Sequence, residues 1–315
     1  MRATRVWARG RRWAAPGVAI LMAISASGPP ASGAGSSGRG TETRARAPRV
    51  IAHRGASGYA PENTLPAFER ALELGAHEVE LDGQLTRDGE LILFHDRSLQ
   101  KKTNGSGRVR DHDLAELRKL DVGSWFDRTH PGGARSFAGT GLMTLGELFD
   151  TFGSRLFYHV ELKSDEPELP ERVLLQIRRG ALEEAVLITS FHEPLLERMR
   201  ALDGSIPIGL LVGDERDLRA SPESGSDRAA RTLQQLQERW IDLALRARFD
   251  QVAFPASEMT RAGVEYAHSR GLEIRAYRVR TRADMEHALA VGSDGMTLNW
   301  PDWLLERAGR GGAGH

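Results

Sequence analysis

Two histidines and two acids in the first third of the chain have types and spacing suited to acid–base chemistry. His53 closes the apolar run that begins at Arg49, and His95 closes a second short apolar run. Glu80 and Asp82 lie between them in the sequence. One imidazole can take a proton from a nucleophile while the other gives one to a leaving oxygen, which is what cleavage of a phosphodiester needs. A lone histidine more often has a structural role, so the hypothesis depends on the pair.

Three carboxylates, those of Glu80, Asp82 and Glu161, form the second part of the predicted site. Side chains alternate faces along a strand, so Glu80 and Asp82 share one face, and Glu161 shares a face with Lys163. Carboxylate oxygens are the ligands that Mg²⁺ and Ca²⁺ require, and converging acids need a cation or basic residues to compensate their charge. An isolated acid is often only part of a surface ion pair. The clustering favours one divalent cation, Mg²⁺ or Ca²⁺.

Basic residues accompany both groups. Arg54 follows His53 directly, and Lys163 lies two residues beyond Glu161. Both can supply the positive charge that a phosphate group requires. His159 is in phase with Glu161 and can face the same interior, and we interpret it as a packing or supporting residue.

The segments that must position these residues alternate between strand-like and helix-like patterns. Alternation of this kind, with titratable residues at strand ends, predicts an α/β fold, a TIM (β/α)8 barrel whose active face is formed by the carboxyl ends of its strands. We expect His53 and His95 at neighbouring strand ends. The candidate strands, one more than a barrel needs, are 49–52, 79–85, 91–95, 157–162, 186–190, 208–212, 251–254, 273–279 and 295–298.

Helical patterns separate these strands. The first follows Pro61, with Asn63 or Thr64 as the N-cap candidate. Residues 97–142, after the third strand, are longer than an ordinary connection and are predicted to be an insertion over the barrel mouth. A surface loop is expected at 221–227. The remaining predicted helices lie near 144–153, 169–180, 193–201, 231–247, 259–270 and 282–291.

Length and composition limit the classes of function. The 315 residues are 40% hydrophobic and 27% charged, as expected for one large soluble globular domain, which we place at 48–309. Outside residues 1–34, 38 basic residues face 43 acidic ones, so bulk charge gives no reason to expect nucleic-acid binding. The chain contains no cysteine, which excludes disulfides, thiolate metal sites and cysteine nucleophiles.

The N-terminal segment resembles an export signal. Residues 1–34 contain five arginines and no acid, followed by a short apolar run and then small residues. This order predicts a cleaved signal peptide and an exported protein, since the apolar run is far shorter than the ~20 residues of a membrane span. A disordered cytosolic tail is the alternative. Residues 35–47 are predicted to be a flexible linker, and 310–315 a disordered tail.

The spaced motifs together resemble the glycerophosphodiester phosphodiesterases over about Arg49 to Leu304. They are HRG, PENT, ELD, HD, TNGSG and ELK, with looser matches at Ser190-Phe191 and around Asn299. The resemblance implies a TIM barrel with an insertion after the third strand, one divalent metal, and hydrolysis of glycerophosphodiesters to glycerol 3-phosphate and an alcohol. By position it makes His53 and His95 the acid/base pair, Glu80, Asp82 and Glu161 the metal ligands, and Arg54 and Lys163 phosphate contacts. It implies that Glu62 lines the site or braces the loop that positions Arg54.

Four positions depart from the pattern of this family. Gly83 replaces a β-branched residue, Tyr277 replaces a common tryptophan, and Arg278 and Arg280 stand where Thr and Asn are frequent. No proposed catalytic group is lost. Tyr277 and Arg278 lie near a strand end, so the departures concern the fit of the substrate, and Tyr277 is a candidate for lining the site.

Three functions remain open from the sequence. The leading one is a secreted, metal-dependent hydrolase of small glycerophosphodiesters. A phospholipase D-like or lysophospholipid-cleaving enzyme on the same barrel is the second, because Trp125 and Phe126 in the insertion can serve a lipid surface. A binding protein without turnover is the third, disfavoured by the complete set of histidines and acids. Head group, metal identity and oligomeric state stay open.

Overall fold

Eight parallel strands close into a barrel in the computed structural model, which describes residues 47–133, 135–213 and 232–312. The first strand, β1 Arg49–His53, pairs with both β2 Glu78–Leu85 and β9 Gly295–Leu298, which closes the sheet and confirms the predicted TIM barrel. Its connections contain helices, as parallel strands require. The strands are β1 Arg49–His53, β2 Glu78–Leu85, β4 Phe157–Leu162, β5 Val186–Ser190, β6 Ile208–Leu211, β7 Gln251–Pro255, β8 Glu273–Val279 and β9 Gly295–Leu298.

The third predicted strand is not a barrel strand. β3, Leu91–Leu93, pairs antiparallel with the upper end of β2, with Leu91 opposite Leu85. A tight turn explains this, because the amide of Thr86 donates to the Glu90 carbonyl at 2.9 Å and Gly89 has φ +77°. The expectation that His53 and His95 lie at the ends of neighbouring barrel strands was therefore wrong. His95 instead follows β3, which runs antiparallel to β2 and so returns along it toward Asp82.

Apolar side chains on the outer faces of the strands pack against the surrounding helices and form the main core, which includes Val79, Leu81, Tyr158 and Val160. The alternate residues face the barrel interior and are largely polar. The helices are α1 Leu65–Glu73, α2 Leu114–Leu117, α3 Ser124–Thr129, α4 Leu145–Phe152, α5 Leu169–Gly180, α6 Glu193–Leu202, α7 Leu233–Arg246, α8 Arg261–His268, α9 Arg282–Val291 and α10 Asp302–Gly312. The predicted helix positions agree with these bounds to within about two residues, as boundary precision allows.

The segment between β3 and α4 has small apolar clusters of its own. Leu99, Val109 and Leu117 pack with Ile92 and Phe94 in one of them. A second cluster joins Phe126 and Phe137 to Ala60 and Ala67, and so attaches the segment to α1. The segment is thus folded onto the barrel by apolar contacts.

Part of the predicted organisation concerns residues outside the described ranges. The predicted signal, the linker apart from Ala47, and the loop expected at 221–227 lie outside the described residues. Helix α10 continues to Gly312, so the predicted tail begins inside this helix, and only 313–315 lie beyond it. Within the described ranges, no helix has the length and apolar content of a membrane span.

Candidate active site

Three buried carboxylates converge at the carboxyl ends of β2 and β4. Oxygens of Glu80, Asp82 and Glu161 all lie within 4.8 Å of one another. Asp82 is paired with Glu161 across the two strands, and Glu80 points to the same face two residues earlier. The side chains are nearly inaccessible, with Asp82 fully buried. Strand alternation and parallel register together produce the cluster that the sequence predicted.

Repulsion and burial act strongly on this cluster. Burial raises the pKa of Glu80 well above its usual range, and the neighbouring Asp82 and Glu161 raise it further. Burial also raises the pKa of Glu161, and Asp82 adds to the effect. For Asp82, burial is outweighed by Arg54 and Lys163, which hold its pKa well below the usual range. Ionisation of Glu80 and of Glu161 is therefore less favourable than that of an exposed glutamate, although Arg54 and Lys163 lie beside the cluster.

Arg54 and Lys163 both contact the acids directly. The Arg54 guanidinium lies with Nε 3.1 Å from Asp82 Oδ2, and its Nη1 donates to Glu62 Oε2 at 2.9 Å. Lys163 Nζ donates to Glu161 Oε1 at 2.8 Å and lies 3.5 Å from Asp82 Oδ1. The predicted phosphate contacts are therefore at the site, where they partly neutralise the acids. Glu62 is placed where it braces Arg54.

A strained turn after β1 aims Arg54 at the acids. Arg54 has φ +54°, which costs an L-residue about 1–2 kcal/mol, and its amide donates to Glu80 Oε2 at 3.1 Å. Gly55 follows at φ +77°, and a Cβ there would lie 2.6 Å from the Ala67 carbonyl carbon. Only glycine fits this close approach to α1. Strain of this kind at a non-glycine residue is a feature of functional sites.

Asn63 has a role that the sequence did not reveal. Its Nδ2 donates to Asp82 Oδ2 at 2.8 Å, and the Asp82 amide donates to its Oδ1 at 3.2 Å. Of the two N-cap candidates, Thr64 occupies the N-cap position of α1, and its hydroxyl donates to the Pro61 carbonyl. Asn63 itself has φ +58°, a conformation that Asn tolerates better than most residues. This side chain fixes the orientation of the Asp82 carboxylate.

The donor set fits a hard divalent cation. All three groups offer carboxylate oxygens, which Mg²⁺ and Ca²⁺ prefer. Asp82 Oδ1 is buried without a hydrogen bond, so one oxygen of the cluster can take a ligand without losing a hydrogen bond within the protein. A cation here would also offset the burial and the repulsion between carboxylates that together raise the pKa of Glu80.

His53 is held by a neutral partner. Its Nδ1 lies 2.6 Å from Asn299 Oδ1, and its Nε2 lies 3.8 Å from Glu80 Oε2. An amide oxygen only accepts hydrogen bonds, so Nδ1 carries the proton and Nε2 is the basic nitrogen. Burial and the adjacent Arg54 lower the pKa of His53 well below its usual range. Asn299 directly follows β9, a position at the active face that could have identified it.

His95 is held by a charged partner. Its Nδ1 lies 2.7 Å from Asp96 Oδ1, and this hydrogen bond is the main reason that the pKa of Asp96 is lowered to about 2. Lys102 continues the network, with Nζ 2.6 Å from Glu62 Oε1 and 3.7 Å from Asp96 Oδ1. The segment between β3 and α4 thereby links the partner of His95 to the partner of Arg54. No sequence motif indicated this role of Lys102.

A buried polar layer lies deeper in the barrel. His159 is fully buried and its Nε2 lies 2.9 Å from Glu78 Oε2, a carboxylate outside the three-acid cluster. Burial lowers the pKa of His159 to about 4. Arg275 is 1% exposed, and burial lowers its pKa to about 10 although Glu80 and Glu161 act against the change. Arg275 thus contributes positive charge beneath the acids, a role that the sequence did not indicate.

The departures from the family pattern lie at two different places. A Cβ on Gly83 would make only ordinary contacts at 3.4 Å or more, so packing does not require glycine there. Tyr277 lies at the end of β8, where its hydroxyl donates to the Val212 carbonyl at 2.6 Å. Its ring lies edge-on to Phe191, with centroids 5.8 Å apart. Tyr277 is thus held at the active face by its hydroxyl, with its ring beside Phe191.

Comparisons with known proteins agree with this geometry. Residues 53–303 match the sequence model of the glycerophosphoryl diester phosphodiesterase family. A glycerophosphodiester phosphodiesterase of Bacillus subtilis is 34% identical over 80% of this chain and 84% of its own length. One from Caldanaerobacter subterraneus is 34% identical over 84% of this chain and 98% of its own length. The crystal structure of an Oleispira antarctica phosphodiesterase with the product sn-glycerol-3-phosphate has the same fold, with a TM-score of 0.69, 24% identity and coverage of 83% and 97%.

Proposed function

Because this chain belongs to the glycerophosphoryl diester phosphodiesterase family and is an enzyme of that activity, we propose that it hydrolyses glycerophosphodiesters by acid–base catalysis with His53 and His95 at a divalent metal site. The products are glycerol 3-phosphate and an alcohol. The family and its curated members support the reaction class. The residue roles rest on the geometry of the site.

The difference between the partners of the two histidines carries this proposal. Asn299, a neutral amide, holds His53 with Nε2 unprotonated, which suits a general base. Asp96, a carboxylate, accepts a hydrogen bond from His95 Nδ1 and fixes the orientation of the ring, which leaves Nε2 as the nitrogen that can give a proton to a leaving oxygen. His53 therefore takes the proton of the nucleophile, and His95 protonates the departing alcohol oxygen.

In the proposed cleavage step, one bond to phosphorus forms while another breaks, and each histidine transfers one proton. The nucleophile is water or the substrate's own glycerol hydroxyl, and its oxygen forms a bond to phosphorus as its proton moves to His53. The bond from phosphorus to the alcohol oxygen breaks, and that oxygen takes the proton of His95. With the glycerol hydroxyl as nucleophile, a cyclic glycerol phosphate forms first, and water opens it in a second step.

Glu80, Asp82 and Glu161 hold the divalent cation in this proposal, Mg²⁺ or Ca²⁺. When bound, such a cation polarises the phosphoryl oxygens and stabilises the negative charge that develops on them. Arg54 and Lys163 lie beside the same acids and bind the phosphate. Glu62 orients Arg54, and Lys102 joins Glu62 to Asp96.

Small water-soluble diesters fit the structure better than lysophospholipids. Phe126 is only 5% exposed and packs against Phe137, so it is not available to a lipid surface. Trp125 packs beside the same cluster, with Lys102 Nζ 5.5 Å from its ring. These aromatic residues attach the insertion to the barrel.

A substrate panel with defined metals tests this proposal. The protein is first stripped with chelator and then supplied with Mg²⁺ or Ca²⁺, and release of glycerol 3-phosphate from glycerophosphocholine and glycerophosphoglycerol is measured. We expect turnover of both, and much slower reaction of lysophosphatidylcholine. A preference for lysophosphatidylcholine presented in micelles would overturn the choice of substrate class.

We also propose that the protein is exported and that its first segment is removed. Support comes from the arginine-rich start, the short apolar run and the small residues up to about Ala34. The mature N-terminus is expected between Ala26 and Arg39, as measured by intact mass spectrometry of protein recovered outside the cytoplasm. Exported protein that retains Met1 would contradict the cleavage.

A further inference from the structure

The end of β8 carries an irregularity that presents one arginine at the barrel mouth. Ala276 is opposite Met296 on β9 while Val279 is opposite Leu298, so β8 contains one extra residue between these pairs. Arg278 lies in this bulge with φ +53°, a conformation that is unfavourable for a residue with a side chain. Bulges redirect side chains and are frequent beside active sites. The direction of the exposed Arg278 side chain is thus set by the bulge and by the positive φ of this residue, and not by the regular alternation of side chains along β8.

A row of contacts connects this arginine to the acid cluster. The Arg278 guanidinium carbon lies 5.5 Å from the centroid of the Tyr277 ring, and that ring lies edge-on to Phe191 at 5.8 Å. Lys163 Nζ lies 5.8 Å from the Phe191 ring and donates to Glu161. We call Phe191 and Tyr277 the aromatic wall. One end of the wall lies beside Lys163, a predicted phosphate contact, and the other end lies beside Arg278.

Phe191 is 40% exposed and so is accessible to a substrate. Exposed aromatic faces often bind quaternary ammonium groups through cation–π attraction. In this wall each ring already has a protein cation next to it, which would repel a second positive charge. A guanidinium also donates hydrogen bonds to hydroxyl and carboxylate oxygens. The insertion also disfavours a positively charged substrate group, because residues 97–142 contain nine Lys and Arg against five Asp and Glu.

We propose that Arg278, acting with the aromatic wall, is a specificity-determining residue that contacts the leaving alcohol of the substrate. It favours diesters whose alcohol is a neutral polyol or carries negative charge, and it disfavours alcohols with a quaternary ammonium group. This inference rests on the proposed function, since it assigns one arm of the diester to the wall. The phosphate lies between Arg54 and Lys163, and the leaving alcohol extends from Lys163 along Phe191 and Tyr277.

The ratio of kcat/KM for glycerophosphoglycerol to that for glycerophosphocholine tests the inference. Wild-type protein is compared with Arg278→Gly, which removes the charge at a backbone conformation that glycine adopts freely, and with Arg278→Lys. Arg280→Ala is the matched control, an exposed arginine two residues further along. We expect the wild type to prefer the glycerol ester and Arg278→Gly to lower the ratio about five-fold, the effect of two unit charges a few ångströms apart in water. Arg278→Lys and Arg280→Ala should keep the ratio near that of the wild type.

The outcomes separate this inference from the proposed function. An active wild type whose ratio is unchanged in Arg278→Gly overturns the inference alone. Equal losses of kcat/KM on both diesters also overturn it, because they place Arg278 against the glycerol arm that the two substrates share. A wild type that cleaves neither diester overturns the proposed function together with the inference. Thermal melting of each variant shows whether a change in activity reflects loss of the fold.

Discussion

Replacement of His95 by alanine is expected to reduce turnover of glycerophosphocholine by about 10²–10⁴-fold, the contribution that a positioned acid–base residue makes. An activated aryl diester, such as a nitrophenyl ester, should lose far less. Its leaving oxygen departs without a proton, so a general acid contributes little to that reaction. Steady-state rates of the two substrates, measured on the same preparation, give the comparison.

His53→Ala should behave differently because a general base acts on the nucleophile, which is the same for both leaving groups. We expect a similarly large loss on glycerophosphocholine and on the aryl diester. His112→Ala is the matched control, since this histidine lies in the insertion with its Nε2 bonded to the Ser106 carbonyl. Equal losses for His53→Ala and His95→Ala on both substrates would show that the roles are not divided as proposed. If neither variant lost more than a few-fold, the acid–base assignment itself would be wrong.

Local rules sufficed to predict the acid cluster. Alternation places Glu80 and Asp82 on one face, and parallel pairing brings Glu161 beside Asp82, so the cluster follows from strand positions alone. The eight parallel strands were predictable for a similar reason, because each is a short apolar run separated from the next by a helical pattern. A feature that depends on one strand or one helix can therefore be predicted from the residues of that segment.

Contacts between distant segments were not predictable in this way. Asn63 orients Asp82, and Asn299 orients His53. Each pair is separated in the sequence, and no sequence motif identifies which residue the asparagine contacts. The hairpin of β3 depends on the turn around Gly89, whose Asp-Gly pair is a hairpin signal that the apolar run of β3 obscured. The direction of Arg278 depends on a register shift between two strands, which requires the folded sheet. Each of these is a property of pairing between segments.

The same distinction applies to the electrostatics of the three acids. The sequence indicates that their charges must be compensated, but only the structure shows that Glu80 is the member whose pKa is raised furthest. A raised carboxyl pKa means that the ionised form is less favourable in the folded state than in the unfolded chain. At neutral pH, above the ordinary pKa of a glutamate, the Glu80 carboxyl therefore lowers the stability of the metal-free fold. A neutral side chain of similar shape should remove this destabilisation.

Glu80→Gln is therefore expected to have opposite effects on the metal-free and metal-loaded protein. In chelator, its melting temperature should equal or exceed that of the wild type, because glutamine has no carboxyl group whose ionisation is opposed by burial and by the neighbouring acids. With Mg²⁺ or Ca²⁺ added, the wild type should gain about 2.7 kcal/mol of stability at a hundred-fold excess over the dissociation constant, and the variant should gain much less. Activity of the variant should fall by at least about 10²-fold, since a bound cation supplies several kcal/mol to the reaction.

Thermal melting with and without cation, beside an activity assay on the same samples, checks both halves of this expectation. Glu69→Gln is the control, since it makes the same change on the exposed face of α1, where neither melting nor activity should respond. A variant that is stabilised by Mg²⁺ or Ca²⁺ as strongly as the wild type would show that Glu80 is not a ligand. Full activity of exhaustively chelated wild-type protein would exclude the metal altogether. In that case Arg54 and Lys163, which already contact Asp82 and Glu161, would be the cations that stabilise the charge of the reacting phosphate.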